Sequence, residues 1–461
     1  MNIEYYARRV ELPVPVDEAF AWHERPGALE RLIPPWQNVE VIGRTGGIRD
    51  GDRVELRQKV GPTSFRWLVE HCDYRPPHQF RDVALRGPFP HWKHTHRFES
   101  ADEGTSRLED EVEFTLPGGR LGRMLGDKTV RSQLRQTFRY RQRTLADDLA
   151  AHAKAAGRPP MRVAITGSSG LVGTPLRHFL TTGGHEVVRL VRGEARPGRG
   201  EIAWDPTDGS LDPTALEGIT AVVHLAGESI AGGRWNDEKK RRIRESRVQG
   251  THTLCEALAR MERPPEVLVS ASAIGIYGDR GDEVLDEHSV AGEGFLADVC
   301  RQWEAATEPA QQRGIRVVRL RFGMILSPRG GALATMLPVF KYGAGGQVGS
   351  GRQYMSWISV DDALGAIHHA LVTEAMAGPA NAVAPEPATN AEFTRTLARV
   401  LHRPAVAWMP ALAARAGLGE MADSLLLASA RVVPRRLQEL DYSFRQPELE
   451  LALWHLLGRA E

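Results

Sequence analysis

Three glycines offer the first chemistry in this chain. Residues 161–173 read MRVAITGSSGLVG, with Gly167, Gly170 and Gly173 spaced GxxGxxG behind the β-rich run Arg162–Thr166. The spacing predicts a strand, a tight turn and a helix beginning at Leu171. Glycines there let backbone amides close on a pyrophosphate, and the positive end of the helix faces its charge. A dinucleotide site is expected at this turn. The following strand, 185–191, ends at Arg192, with Arg189 earlier on the same strand. Folds that prefer NAD commonly carry an acid at this tip. A guanidinium instead, with Ser168 and Ser169 as neutral donors, suits a 2′-phosphate, so NADP(H) is expected in preference to NAD(H). A further apolar strand, 222–225, runs into Ala226 and Gly227, whose small size lets the chain pass close to a cofactor.

A second group lies nearer the C-terminus. Residues 344–358 read AGGQVGSGRQYMSWI, a glycine-rich loop before an expected helix over 361–371. Glycine there permits movement over a cleft, and Arg352, Tyr354 and Trp357 are expected to contact substrate. Arg321 and Arg352 would favour an anion if both point inward. Asp361 and Asp362 are adjacent, so their side chains diverge; they read as a helix start, not a metal pair. His94 and His96 share one face of a strand that also carries His91, a spacing that can bind metal. With no cysteine pair nearby, hydrogen-bonded or solvated histidines are expected and no metal site is assigned. Cys72, Cys255 and Cys300 are too scattered for a disulfide framework or a structural zinc site.

These groups need two or three domains to position them, given 461 residues. Fifty-nine basic and 58 acidic residues leave a net charge of +1, with no nucleic-acid surface, and the basic run Lys239–Arg242 reads as solvated helix. No apolar run approaches about 18 residues, and no basic segment leads into an apolar one at the start, so a cytoplasmic protein without a membrane span is expected. Gly157-Arg158-Pro159-Pro160 marks the main boundary. Before it stand a strand over 4–13, a helix containing Phe20 and Trp22, and strands over 38–44, 53–60, 63–73, 79–85, 91–100 and 106–115. A long helix over 121–153 follows, with Leu134, Phe138, Leu145 and Leu149 at helical spacing. Beyond the boundary, strands over 267–272 and 317–321 enclose a helical run over 295–311, the alternation of a doubly wound parallel sheet.

Taken as a set, TGSSGLVG (166–173), WDP (204–206), HLAGESI (224–230), RW (234–235), SR (246–247), SASAIGIYG (270–278), FLADVCRQWE (295–304), RFGMILSPRGG (321–331) and SWISVDD (356–362) resemble the extended short-chain dehydrogenase/reductase superfamily. The narrower resemblance is to its NAD-dependent epimerase/dehydratase-like branch, with ELDYSFRQP (439–447) similar to that branch's small C-terminal domain. VPVDEAFAWHERPGALERLIPPW (14–36) and the element order resemble START-like, polyketide-cyclase-type helix-grip domains, which usually enclose an apolar ligand cavity. The implied fold is α/β, a Rossmann-type doubly wound parallel sheet preceded by an α+β helix-grip domain. The domains would span 1–155, 161–400 and 401–461. The resemblance implies phosphate contacts from Gly167, Ser168, Ser169, Gly170, Leu171 and Val172, with Gly173 closing the turn. It puts Arg192 at the 2′-phosphate, Asp205 near adenine, and Leu225, Ala226 and Gly227 near the ribose and diphosphate. Glu228 would enter the substrate side, and Trp235 would cover the nicotinamide or pack between domains.

The superfamily's proton-transferring tyrosine and its lysine four residues later would fall at Phe295 and Val299, which carry no ionisable group. Ser272, with Ser270 as alternate, remains for a carbonyl hydrogen bond. Tyr277, Glu228, Asp298, Cys300 and Lys341 are the groups left to move a proton. The expectation is an NADP(H)-dependent oxidoreductase or nucleotide-sugar-epimerase-like enzyme on a small-molecule carbonyl or alcohol. The alternative is a catalytically silent NADP(H)-binding protein with a lipid-type cavity in front.

Overall fold

The computed structural model describes residues 3–207, 209 and 211–459. The chain forms two compact units, residues 3–159 with 178–184, and 160–177 with 185–459.

In the first unit, β1 (Glu4–Leu12) leads to α1 (Val16–Glu24) and α2 (Ala28–Leu32). Six strands follow: β2 (Asn38–Thr45), β3 (Arg53–Val60), β4 (Thr63–Arg75), β5 (Gln79–Arg86), β6 (His91–Ser100) and β7 (Ser106–Thr115). They form one seven-stranded antiparallel sheet in the order β1-β7-β6-β5-β4-β3-β2. The 35-residue α3 (Gly119–Ala153) completes the helix-grip arrangement. Alternation decides the faces. On β7, Ser106, Leu108, Asp110, Val112 and Phe114 turn inward; on β6, Trp92, His94, His96 and Phe98 do. The interior is apolar at both ends, with Phe20, Phe80, Phe98, Leu145 and Leu149 at one and Trp92, Phe114, Leu134 and Phe138 at the other. Between them lies a polar layer.

The second unit is built on β8 (Arg162–Thr166), β9 (Glu186–Val191), β10 (Glu201–Ala203), β11 (Ala221–His224), β12 (Val267–Ala273), β13 (Arg316–Phe322) and β14 (Gly378–Ala382). All neighbours pair parallel, in the order β10-β9-β8-β11-β12-β13-β14. Sheets covered on both faces need continuous apolar strands, and β8 and β11 bury Val163–Thr166 and Ala221–His224. α4 (Gly173–Thr182) follows β8, α5 (Asp237–Arg260) follows β11, and α6 (Phe295–Ala305) follows β12. The helical run expected over 295–311 is two helices, the second starting at Glu308 with Pro309 in its first turn. Strand order reverses between β8 and β11, which places a crevice at their C-terminal ends.

A third layer of structure packs Phe340, Trp357, Phe393, Leu397, Leu453 and Leu456 into one core. The helix Val360–Val372 starts as expected: Ser359 Oγ accepts the Asp362 amide, and both aspartates sit in the first turn. Among the described residues, no helix is long and apolar enough to cross a membrane.

Candidate cofactor and catalytic site

The turn after β8 is tight for reasons that exclude side chains. Gly167 has φ +65°, and a Cβ there would lie 2.8 Å from the carbonyl of Leu225 and 2.9 Å from the amide of Ala226. A Cβ on Gly173 would meet the Gly167 carbonyl oxygen at 2.2 Å, and one on Gly170 would meet the same oxygen at 3.2 Å. The Gly170 amide donates to that oxygen (3.0 Å), and the helix proper begins at Gly173 rather than Leu171. The chain ends of β8 and β11 are tied together by Thr166. Its Oγ1 accepts the amides of Leu225 (3.0 Å) and Ala226 (3.1 Å), so its own proton goes to His224 Nδ1, 2.7 Å away. His224 Nε2 then donates to Thr251 Oγ1 (2.9 Å). Burial holds the His224 pKa down at about 4, keeping the ring neutral. His224, absent from the sequence-based assignment, is therefore a positioning residue for this turn.

At the tip of β9, Arg192 is exposed and, among the described residues, in no ion pair. Arg189 is committed, since it pairs with Glu201 on the neighbouring strand. Of the two expected neutral donors, Ser168 is buried and Ser169 is exposed. Asp205 accepts the Thr207 amide (2.8 Å) and hydroxyl (2.6 Å), which lower its pKa.

Beyond β11, Glu228 is half-buried and pairs with Lys239 Nζ at 2.6 Å. That contact, with the nearby Arg242 and Arg192 charges, lowers the Glu228 carboxyl pKa. Lys239 is itself buried, which corrects the reading of Lys239–Arg242 as solvated surface at that residue, while Arg241 and Arg242 are exposed as expected. Trp235 packs edge-on to Phe295 with centroids 5.3 Å apart, and its indole donates to the Ile230 carbonyl (2.8 Å). Lys240 and Arg244 lie over the same Phe295 ring, at 5.3 and 5.7 Å. Phe295, expected where the superfamily has its tyrosine, is thus a cation-faced aromatic stack.

Ser272, Tyr277 and Arg321 come together, with two residues that sequence reasoning missed. Arg321 makes two parallel hydrogen bonds to Glu304, from Nε (2.8 Å) and Nη2 (2.9 Å), and a third from Nη1 to Tyr277 Oη (2.9 Å). Ser272 Oγ donates to Glu304 (2.7 Å), and Tyr277 Oη donates to Asn381 Oδ1 (2.8 Å). All five side chains are buried. Arg321 is therefore not an open anion contact: its charge is met by Glu304 inside the protein. Burial raises the Tyr277 pKa despite the guanidinium beside it, the opposite of what an acid needs.

Of the remaining candidates, Cys300 packs in the same buried cluster as Tyr277, its thiol pushed up to about 12 by burial. Ser270 is buried within β12, Asp298 pairs with its helix neighbour Arg301, Val299 is buried, and Lys341 is exposed at a helix end. Arg352 is exposed and Tyr354 half-buried under the Arg431 guanidinium (5.0 Å). Trp357 is fully buried, its indole donating to the Glu386 carbonyl (3.1 Å), so it supports the wall from behind and offers no substrate contact. The glycine-rich loop is also corrected from mobile to close-packed. Gly346 lies in a strand paired with Ala407–Met409, where a Cβ would sit 1.7 Å from the Ala407 carbonyl oxygen; a Cβ on Gly345 would meet the Phe340 ring at 2.5 Å.

In the first unit the space between sheet and α3 is a cavity of about 20 Å³, bordered by His23, His96, Asp110, Arg141 and Gln142 together with three leucines. That is room for about one water molecule. Burial holds His23 down at about 4; His94, by contrast, is raised to about 9, because Asp82 and Asp110 outweigh its burial.

Comparison with known proteins follows this division. Residues 163–383 match the NAD dependent epimerase/dehydratase family, 12–138 match polyketide cyclase / dehydrase and lipid transport proteins, and 409–456 match a domain of unknown function, DUF1731. An epimerase family protein of Mycobacterium bovis is 44% identical over 297 residues, covering 64% of this chain and 98% of the relative. Human epimerase family protein SDR39U1 is 36% identical over 301 residues, covering 65% and 100%. The crystal structure described as a nucleoside-diphosphate sugar epimerase from Corynebacterium glutamicum aligns with TM-score 0.79 and 36% identity over 98% of this chain and 90% of that one. Human SDR39U1 isoform 2, solved with NADPH, aligns with TM-score 0.60 and 34% identity over 64% and 99%. With its glycine turn at the reversal of a parallel sheet and relatives matched along nearly their full length, the chain belongs to the NAD dependent epimerase/dehydratase family, its polyketide-cyclase-like unit preceding that part in sequence.

Proposed function

We propose that the second unit is an NADP(H)-dependent oxidoreductase or nucleotide-sugar-epimerase-like enzyme acting on a small-molecule carbonyl or alcohol. The observation that carries this reading is the turn at 167–173. Its glycines let the turn close on itself and against Leu225–Ala226 at the crevice between β8 and β11, and a Cβ at Gly167 or Gly173 would run into that backbone. A pyrophosphate fits such a cradle. Gly167–Gly173 and Leu225–Gly227 would hold the diphosphate and ribose, Asp205 the adenine side, and Arg192 the 2′-phosphate. The unpaired guanidinium favours NADP(H), as does NADPH in the human relative. When bound, the nicotinamide supplies hydride exchange.

The chain's own part is to position substrate and move one proton. Glu228 is the candidate proton acceptor, because it reaches solvent and Lys239 keeps it ionised. Ser272 Oγ spends its hydrogen bond on Glu304, so with Arg321 and Tyr277 it forms a rigid, buried network on β12 and β13. Trp235, Arg352 and Tyr354 are the remaining substrate-side candidates.

A second reading, cofactor binding without turnover, is favoured by Phe295 and Val299 at the positions of the usual tyrosine and lysine. Titration with NADPH and NADH, followed by assays with C4-deuterated NADPH over sugar nucleotides and simple carbonyls, separates the two. Deuterium transfer or epimerised product supports the enzyme. Tight NADPH binding with neither across the panel selects the silent protein, and absence of NADPH binding removes both. An apolar ligand in the first unit would require α3 to swing off the sheet, so a lipid that protects α3 amides from hydrogen exchange is the corresponding test.

A further inference from the structure

The polar layer inside the first unit has the composition and spacing of a metal centre. Strand register builds it: Asp82 on β5 stands opposite His94 on β6, and His96 stands opposite Asp110 on β7. Alternation turns all four inward, onto a face otherwise occupied by Phe80, Trp92, Phe98 and Phe114. Asp82 Oδ2 lies 3.2 Å from His94 Nδ1 and 3.6 Å from His96 Nε2. One ligand atom from each of the three residues can be chosen so that all lie within 4.8 Å of one another. Zinc bonds of about 2.0–2.2 Å at tetrahedral angles put neighbouring ligand atoms about 3.3 Å apart, so the two carboxylate–imidazole edges already have coordination spacing.

The far side of the two rings completes the pattern. Metal-bound histidines hold their second ring nitrogen against a carboxylate, which fixes ring orientation. Here one oxygen, Asp110 Oδ1, serves both: His94 Nε2 lies 3.2 Å and His96 Nδ1 2.9 Å from it. Asp110 is held in turn by Gln142 Nε2 at 2.8 Å, and Gln142 by Arg8 Nε at 2.8 Å. Two carboxylates and two imidazoles in an apolar interior form a costly ion cluster on their own; one divalent cation among three of them, with the fourth behind, matches the charges and donors.

We propose that Asp82, His94 and His96 bind one divalent first-row transition ion, zinc by its donor set, inside the helix-grip unit, with Asp110 as the residue that orients both imidazoles. The cavity bordering His96 has room for about one water, which supplies the fourth ligand of a tetrahedral ion, and the ion's work is to hold β5 and β6 together across the polar layer. The claim is independent of the cofactor reading for the second unit.

The test uses the untagged full chain, stripped with chelator and dialysed against zinc or cobalt. One equivalent of bound zinc per chain by elemental analysis, a raised unfolding midpoint, and the strong visible absorption of low-coordinate cobalt are expected. Asp110→Asn should weaken zinc about 10- to 100-fold through the second ring nitrogens, and His96→Gln should abolish the cobalt spectrum. NADPH titration of the same variants reports whether the second unit stays folded. If His96→Gln unfolds the first unit, X-ray absorption on the wild-type zinc form decides by the presence of two imidazoles. Failure of the stripped wild type to take up zinc or cobalt, absorption without imidazole, or full zinc retention in a folded His96→Gln variant overturns the proposal.

Discussion

Replacing Arg192 by alanine removes the one guanidinium at the β9 tip that stands in no ion pair among the described residues. Its neighbour Arg189 is already paired with Glu201 and cannot turn to replace it. A hydrogen bond to a charged group contributes about 1.5–3 kcal/mol, and exposed ion pairs contribute about 0.2–1 kcal/mol. Arg192 is exposed, so the lower end of the first range applies, about 1.5 kcal/mol, or close to tenfold in Kd. That loss should fall on NADPH alone, because NADH has no 2′-phosphate. Titration by nicotinamide fluorescence of wild type, Arg192→Ala and Arg189→Ala gives the comparison. Raising the salt from low to physiological concentration should narrow the wild-type preference, since screening acts on an exposed charge. Equal loss for both cofactors in Arg192→Ala, or no loss for either, would refute the phosphate assignment; a selective loss in Arg189→Ala would place the contact three residues further back on the strand.

Four further outcomes follow from the same geometry. Gly173→Ala drives a Cβ into the Gly167 carbonyl; overpacking of this kind costs about 1–3 kcal/mol, and NADPH binding should disappear in a calorimetric titration. Glu304→Gln leaves Arg321 buried without its counter-charge, and breaking such a pair costs about 3–5 kcal/mol, read by urea unfolding of the second unit. Tyr277→Phe strands Asn381 Oδ1 and Arg321 Nη1 at about 1–3 kcal/mol; a folded variant whose turnover pH profile is unchanged would confine Tyr277 to a structural role. His224 is depressed from 6.5 to about 4 by burial, so the unfolded state binds the extra proton first. Its contribution is fully present above pH 6.5 and is lost as pH falls towards 4. His224→Gln should flatten that part of the second unit's stability curve, and NMR titration showing His224 protonating near 6.5 would contradict the assignment.

The antiparallel sheet and the five inner strands of the parallel sheet were legible in the sequence because their patterns are local, whereas its edge strands, Glu201–Ala203 and Gly378–Ala382, carry no such pattern. Strict alternation on β6 and β7 and the continuous apolar runs of β8 and β11 follow from which faces are covered. The glycine turn was legible because strand, spacing and helix coincide at 162–173. What stayed hidden depends on a partner distant in sequence. Gly345 and Gly346 look like hinges until Phe340 and the Ala407 carbonyl are seen filling the space a side chain would need. Lys239 looks like one cation in a surface run until Glu228 reaches it from the tip of β11.

One signal in the sequence does point past this barrier, and it is the misplaced charge. Glu304 follows Cys300 by four residues on a helix whose buried stripe includes Ala297, Val299, Cys300 and Trp303, and Arg321 sits in a central strand buried on both faces. A charge on an apolar stripe must find its opposite or be neutralised; with one acid and one base so placed on adjoining elements, pairing is the economical solution. The same reasoning applies to Asp82, His94, His96 and Asp110, each on the inward phase of its strand. There the arrangement is not one pair but a convergence, because Asp82 faces one nitrogen of each imidazole and Asp110 faces the other. An inward charge with a complete partner set marks a structural pair, as at Arg321 and Glu304. An inward set of acid and imidazoles whose ligand atoms converge at metal spacing marks a place for a cation, and in this chain that distinction separates the floor of the cofactor unit from the interior of the helix-grip unit.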